Sequence, residues 1–127
     1  MATDISPYLY YEDGAAAMDW LIEAFGFEEA MRMTDDDGRV VHGELTLGDS
    51  RVMLGQIDRS GYESPRKRGG GTAGVHVYVD DVDAHFERAK AAGADIRMEP
   101  TDQEYGDRRY DAKDLEGHDW FFAQRLG

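Results

Sequence analysis

The feature that most constrains this chain is an internal repeat, because a duplicated unit requires one supersecondary element to be built twice. At a spacing of 68 residues, Tyr8-Leu9-Tyr10-Tyr11-Glu12-Asp13 lies over His76-Val77-Tyr78-Val79-Asp80-Asp81. Each segment is strand-like and ends on an Asp before a helical pattern. The same spacing lays Val52-Met53-Leu54-Gly55 over Trp120-Phe121-Phe122-Ala123, and Val40-Val41-His42 over Arg108-Arg109-Tyr110. The repeat lives in pattern more than in identity. It divides 127 residues, a size suited to one compact domain or two small fused modules, into units of about 60 residues. Between them, Ser60 to Gly71 is polar and glycine-rich and reads as a flexible loop.

Each unit reads as strand, helix, then three strands. In the first, residues 6–11 form a strand, Asp13 is the N-cap, and Ala17, Trp20, Leu21, Ala24 and Phe25 recur at helical spacing over 14–25. Gly26 closes the helix, and strands follow near 28–34, 39–47 and 51–57, separated by the turn signals Asp36-Asp37-Gly38 and Gly48-Asp49. In the second unit, strand 74–79 precedes the cap Asp81 and a helix over 82–92, with Val82, Phe86 and Ala89 inward and Gly93 as the stop. Strands follow near 95–99, 108–113 and 119–125.

Strand alternation assigns faces. Val75, Val77 and Val79 suit the helix side, as do Val41, Leu45 and Leu47, then Trp120 and Phe122 with their repeat mates Val52 and Leu54. The opposite face collects Ser6, Tyr8, Tyr10, Val40, His42, Glu44, Thr46, Met53, Gly74, His76, Tyr78, Arg108, Tyr110, Ala112 and Phe121. That face is too polar for an ordinary core and too aromatic for a plain surface, which fits a concave, ligand-lined sheet.

Charge removes several function classes. Fourteen basic against 27 acidic side chains give a net charge of −13, the wrong sign for neutralising phosphates or anionic lipid. Asp outnumbers Glu and Arg outnumbers Lys, a balance that resembles proteins of salt-loving organisms and also products of GC-rich genomes. Most acids fall in turns, caps and helix faces, so the charge reads as a solvated shell. Only Glu44 falls clearly on the pocket face. There is no cysteine, which excludes disulfides and thiolate chemistry. No apolar run approaches the ~20 residues of a membrane helix. The opening Met1-Ala2-Thr3-Asp4 lacks the basic and apolar blocks of a signal peptide, so a cytoplasmic protein is expected. No G-x-S-x-G is present, and Gly69-Gly70-Gly71-Thr72 lacks the helix and Lys of a phosphate-cradling loop.

The duplicated unit resembles the vicinal oxygen chelate superfamily, which contains glyoxalase I, bleomycin-resistance proteins, fosfomycin-resistance enzymes and extradiol dioxygenases. The residues that carry the resemblance run in order along nearly the whole chain. Pro7 to Asp13 followed by Ala15 to Leu21 and Ala24-Phe25-Gly26-Phe27 resembles the family's opening strand and helix. Asp37-Gly38-Arg39-Val40-Val41-His42-Gly43-Glu44-Leu45 is similar to a family strand. Val77 to Asp83 and Ala91-Ala92-Gly93-Ala94 are similar to its second module, and Tyr105-Gly106-Asp107-Arg108 with Asp114 to Trp120 to its close. The resemblance implies an α+β fold: two tandem βαβββ modules, residues 1–58 and 73–127 joined by a linker over 59–72, form a curved mixed sheet around a concave pocket. It also implies a homodimer.

The family's metalloenzymes take two ligands per module. The resemblance puts the first-strand ligands at Ser6 and Gly74, the last-strand Glu at Phe121, and its repeat mate at Met53 or Leu54, none a good ligand for a divalent cation. A register two residues away places His76 at one position, and Gln56 offers a weak oxygen donor. His42, Glu44 and His76 together would supply two imidazoles and a carboxylate, the set of a facial-triad iron site, but at positions the family does not use. His85 and His118 read as surface or capping residues, and Arg66-Lys67-Arg68 as a solvated loop.

The expected function is therefore metal-independent binding of a small organic molecule, with no cofactor, by Tyr8, Tyr10, His42, Glu44, His76, Tyr78, Arg108, Tyr110 and Phe121. The tyrosines and Phe121 would form a stacking pocket, and Arg108 or Arg109 would orient a carboxylate or carbonyl unless paired with Asp107 or Asp111. Two other classes stay open: a lyase, isomerase or dioxygenase with a divalent metal at relocated ligands, and a salt-adapted assembly protein with a vestigial pocket.

Overall fold

A computed structural model describes residues 3–57 and 61–127. The first two residues, the end of the first expected module at 58, and the start of the expected linker at 59–60 lie outside the described residues. The order is β1 (Tyr8–Tyr11), α1 (Gly14–Phe25), β2 (Glu28–Thr34), β3 (Val40–Leu47), β4 (Ser50–Gln56), α2 (Pro65–Arg68), β5 (Gly74–Tyr78), α3 (Val82–Ala91), β6 (Asp95–Asp102), β7 (Asp107–Lys113) and β8 (Asp119–Arg125). The strands form two four-stranded mixed sheets, β1-β4-β3-β2 and β5-β8-β7-β6. In each, the first strand runs parallel to the last: Tyr8 pairs with Met53 and His76 with Phe121. These pairs are equivalent under the 68-residue spacing. The curved sheet expected from sequence is thus two βαβββ sheets, with no ladder joining β1 to β5 among the described residues.

The helices form where the caps allow. The side chains of Asp13 and Asp81 accept from the amides of Ala16 and Ala84, satisfying donors the first turn leaves unpaired. The two long helices pack on each other and on both sheets, so one apolar core serves both modules. Phe25, at the end of α1, crosses to the second module and lies 4.7 Å from Phe122 and 5.3 Å from Trp120, centroid to centroid. Polar clasps reinforce this contact. Trp20 Nε1 donates to the Ala92 carbonyl at 2.9 Å. Arg88 donates to the carbonyls of Glu23 and Ile22, placing a cation on the negative end of α1.

His85 is not a surface residue. It is half-buried, with Nε2 2.8 Å from the Phe25 carbonyl and Nδ1 2.6 Å from the Tyr110 hydroxyl. The carbonyl only accepts, so Nε2 carries the hydrogen and Nδ1 receives the one from Tyr110. Burial holds the His85 pKa below its ordinary value, outweighing the opposing Phe25 bond. A depressed folded value means the unfolded chain binds more protons, so stability grows with pH across that window. His85 therefore contributes fully above about pH 6.5, and the contribution is lost as pH falls through the depressed folded value. Urea unfolding midpoints should drop across this acid window in the wild type, and the drop should be smaller in His85→Gln. An equal drop in both would assign it elsewhere.

Two face assignments differ from the alternation read in sequence. Val40 is fully buried and Val41 is 43% exposed, the reverse of expectation. A register irregularity between Met33 and Thr34 leaves Thr34 opposite Val40 and Met33 opposite His42, so Val41 is the extra residue of a bulge. In β7, Tyr110 and Ala112 face the core rather than the open side. Tyr110 pairs with Phe122 as Gly43 pairs with Leu54, so the repeat slips by one residue in this strand. The β3–β4 connection has two residues and the β7–β8 connection five, and an odd shift sends every side chain to the opposite face.

Candidate functional site

The largest change from the sequence reading concerns the connecting segment. Residues 65–68 form a helical turn whose N-cap, Ser64, is fully buried and accepts from the Lys67 amide. The Ser64 hydroxyl also donates to Glu12 Oε2, which with nearby Arg66 and Lys67 lowers the Glu12 pKa. Two bonds fasten this turn to the β7–β8 connection, Arg66 N to the Glu116 carbonyl at 3.0 Å and Arg66 Nη1 to the Leu115 carbonyl at 2.9 Å. Arg66 is thus docked, where sequence suggested a solvated loop.

Beneath this segment lies a cleft of about 510 Å³, walled by Pro7 and the following Tyr8–Tyr10 of β1 and by Ala73–Val75 leading into β5. Its size falls within the range of small-molecule pockets. Tyr62 reaches down from the segment and stacks on Tyr10, with ring centroids 3.9 Å apart and planes 12° apart. Tyr8 stands beside Tyr10 at 5.2 Å. His118 Nε2 donates to the Tyr10 carbonyl at 2.8 Å, which steadies the strand under the stack. Pattern reasoning passed over Tyr62 because it lies outside any strand; an aromatic in an otherwise polar, glycine-rich segment was the available signal.

Of the residues expected on one face, Tyr8, His42 and Glu44 form a connected group. The Tyr8 hydroxyl lies 3.0 Å from His42 Nδ1, and His42 Nε2 lies 3.0 Å from Glu44 Oε2. Arg51 reaches Glu44 Oε1 at 2.9 Å and Asp4 at 3.0 Å. The bonds from His42 and Arg51 lower the Glu44 pKa, while partial burial and the Glu44 charge raise that of Tyr8.

His76, Tyr78 and Phe121 lie on the second sheet. His76 and Tyr78 line a separate groove of about 470 Å³ together with Asp4 and Arg51, and their rings meet edge to face at 4.9 Å. The Tyr78 hydroxyl donates to Asp107 at 2.8 Å. Arg108 and Tyr110 do not join this face. Arg108 pairs with Asp83 and Asp102 on the helix side, and Tyr110 is core. Their places are taken by Arg109 and Asp111, which pair through two bonds of 2.6 and 3.1 Å, with the Arg109 guanidinium 4.4 Å above the Phe121 ring.

The donor set does not fit a divalent metal. The Phe121 ring covers Gly74 so closely that an added Cβ would meet it at 2.2 Å, and neither residue carries a ligating side chain. Both ring nitrogens of His42 are engaged, and His76 stands on the other sheet. Among the described residues, no group of three or more His, Asp or Glu side chains is placed to hold a metal ion. No helix among them is long and apolar enough to cross a membrane.

Comparison with known proteins places the chain. An uncharacterized protein of Mycobacterium bovis, Mb0911c, is 36% identical over 124 residues, 94% of this chain and 82% of that protein. The crystal structure of TioX from Micromonospora sp. ML1 superposes with a TM-score of 0.78 at 36% identity, covering 98% of this chain and all of that one. TnmS3, an antibiotic binding protein from Streptomyces sp. CB03234, shares the fold at 20% identity and a TM-score of 0.69, with 98% of each chain covered. A family profile matches residues 5–122, and with these relatives it establishes that the chain belongs to the Glyoxalase/Bleomycin resistance protein/Dioxygenase superfamily.

Proposed function

We propose that this protein binds a small, planar organic molecule without a metal, in the cleft between β1 and β5. The observation that carries the reading is the aromatic wall of the cleft under the docked segment, where Tyr10 and Tyr62, stacked on each other, stand beside Tyr8. Stacking on such rings rewards flat ligands with no demand for a particular functional group. The fold shared with an antibiotic binding protein agrees with this use, although fold alone does not fix function. His76, Tyr78 and Phe121 belong to the proposal as a second wall. The open faces that carry Tyr8, Tyr78, Met31 and Met33, all more than 40% exposed, suit a homodimer in which a second copy covers them. A cytoplasmic location is part of the same proposal.

The test is calorimetric titration with 2-naphthol as the probe. Saturable binding unaffected by EDTA is expected, weakened about 3–10-fold by Tyr62→Ala or Tyr10→Ala, the worth of one aromatic pair. Light scattering on the same samples should report twice the chain mass of 14.3 kDa. Binding that disappears with EDTA would transfer the reading to a metal-dependent enzyme, and a monomeric mass would remove the dimer.

A further inference from the structure

The group Tyr8–His42–Glu44–Arg51 fixes which way its hydrogens point, and this carries the binding reading to a ligand class. The starting point is Glu44, whose carboxylate accepts from Arg51 at 2.9 Å and meets His42 Nε2 at 3.0 Å. An ionised carboxylate can only accept, so His42 Nε2 carries the hydrogen. In the neutral imidazole the other nitrogen, Nδ1, then holds a lone pair. The only atom facing it at bonding distance in this group is the Tyr8 hydroxyl, 3.0 Å away, so Tyr8 must donate its one hydrogen inward. What its oxygen keeps for anything else is lone pairs. Tyr8 lines the cleft and is 41% exposed, which leaves it open to a partner from that side; on the other side its hydroxyl is packed over Gly55, where an added Cβ would come within 2.8 Å of it.

We propose that the His42–Glu44 pair makes Tyr8 a hydrogen-bond acceptor toward the cleft, so that the site selects planar aromatic ligands bearing a hydroxyl or amino hydrogen, phenols and arylamines, over the same rings with that hydrogen blocked. The inference rests on the binding reading above. His42 acts here as a positioning residue: it orients the Tyr8 hydrogen and makes no contact with the ligand itself. A donor-bearing ligand completes a chain of bonds running from its own hydrogen through Tyr8 and His42 to Glu44. A ligand offering only an acceptor leaves two oxygen lone pairs facing each other, and a polar atom without its partner is penalised in a partly buried site.

The experiment compares 2-naphthol with 2-methoxynaphthalene, which keeps the ring and the oxygen and loses the hydrogen. Titrations are run at about pH 8, above the ordinary histidine range. In the wild type, the naphthol should bind about tenfold more tightly, the worth of one hydrogen bond. In Tyr8→Phe the acceptor is gone and the ratio should fall toward one. Any steric cost of the added methyl persists in that variant, so the change in ratio isolates the bond. In His42→Phe the Tyr8 hydrogen has no inward partner and can turn to the cleft, and the ratio should again fall toward one. Equal affinities in the wild type, or a tenfold ratio that survives in Tyr8→Phe, would overturn the proposal while leaving the binding reading standing. If neither compound binds, both fall.

Discussion

Replacing Asp114 by Ala should lower the unfolding free energy by about 3–5 kcal/mol, the cost of removing a buried charged partner from a satisfied network. Asp114 is 5% exposed and its carboxylate accepts four hydrogens. Tyr11 Oη and Trp120 Nε1 donate to Oδ2 at 2.5 and 3.0 Å, and the amides of Glu116 and His118 donate to Oδ1 at 3.1 and 3.0 Å. Tyr11 and Trp120 are fully buried, so without the carboxylate their donors meet neither protein nor water. The bond from Tyr11 joins the first module to the second, which makes the group a rivet between modules as well as a turn organiser. Burial and the adjacent charge also push the Tyr11 phenol well above its ordinary pKa, so it remains a donor throughout the accessible pH range. Tyr11→Phe removes one bond and leaves an acceptor with three others, and should cost only about 1–2 kcal/mol. Urea unfolding of the three proteins checks the order. A loss in Asp114→Ala no larger than that in Tyr11→Phe would show that the other donors find substitutes.

The architecture was readable because it rests on local, repeated signals. Asp13 and Asp81 cap the helices they were assigned, and the apolar spacing that marked 14–25 matches the observed helix residue for residue. What failed was parity. The repeat spacing holds for the first and last strands, and carrying it to β7 turned Tyr110 outward, because a longer connection shifts that strand by one residue against its partner. No propensity detects such a slip; only the hydrogen-bond register does. The Val40–Val41 exchange has the same origin, since a bulge is an extra residue whose place the alternation cannot mark.

The site was partly legible for a related reason. Tyr8 sits on a strand that obeys the alternation, His42 and Glu44 lie beyond the β3 bulge where the alternation holds again, and the structure brings the three within bonding distance. Arg108 and Tyr110 were drawn in by the slipped strand, while Arg109 and Asp111 were left out by it. Tyr62 belongs to a segment whose glycines suggested mobility. Its order comes from contacts distant in sequence: Ser64 with Glu12, and Arg66 with the carbonyls of Leu115 and Glu116. Composition records the absence of a core-forming pattern there, but says nothing about a partner about 50 residues away.

That docking supplies the second large effect. Gly117 has φ +89°, and a Cβ built on it would lie 2.9 Å from the Arg66 amide nitrogen and 3.4 Å from its Cα. Backbone cannot swing aside as a flexible side chain does, so the α2 turn must lift. Gly106 has a similar φ of +98° with nothing within 4 Å, and it isolates the conformational cost alone. Gly106→Ala should therefore cost about 1–2 kcal/mol, the left-handed penalty for a residue with a Cβ. Gly117→Val adds a β-branched side chain and the collision, and should cost about 2–4 kcal/mol. The functional consequence separates the two more sharply. Lifting the turn breaks the bond from the Arg66 amide to the Glu116 carbonyl, and the Tyr62 ring is carried by the same segment. The cleft would lose the Tyr62 part of its aromatic wall, and 2-naphthol affinity should fall about 3–10-fold, the worth of one aromatic pair. Gly106 stands in the β6–β7 turn, outside the cleft lining, and its substitution should leave that affinity within about twofold of the wild type, since no contact with the ligand changes. Equal losses of affinity in the two variants would mean that the segment does not roof the site, and that the Tyr10–Tyr62 stack is packing between parts of the chain rather than a place for a ligand.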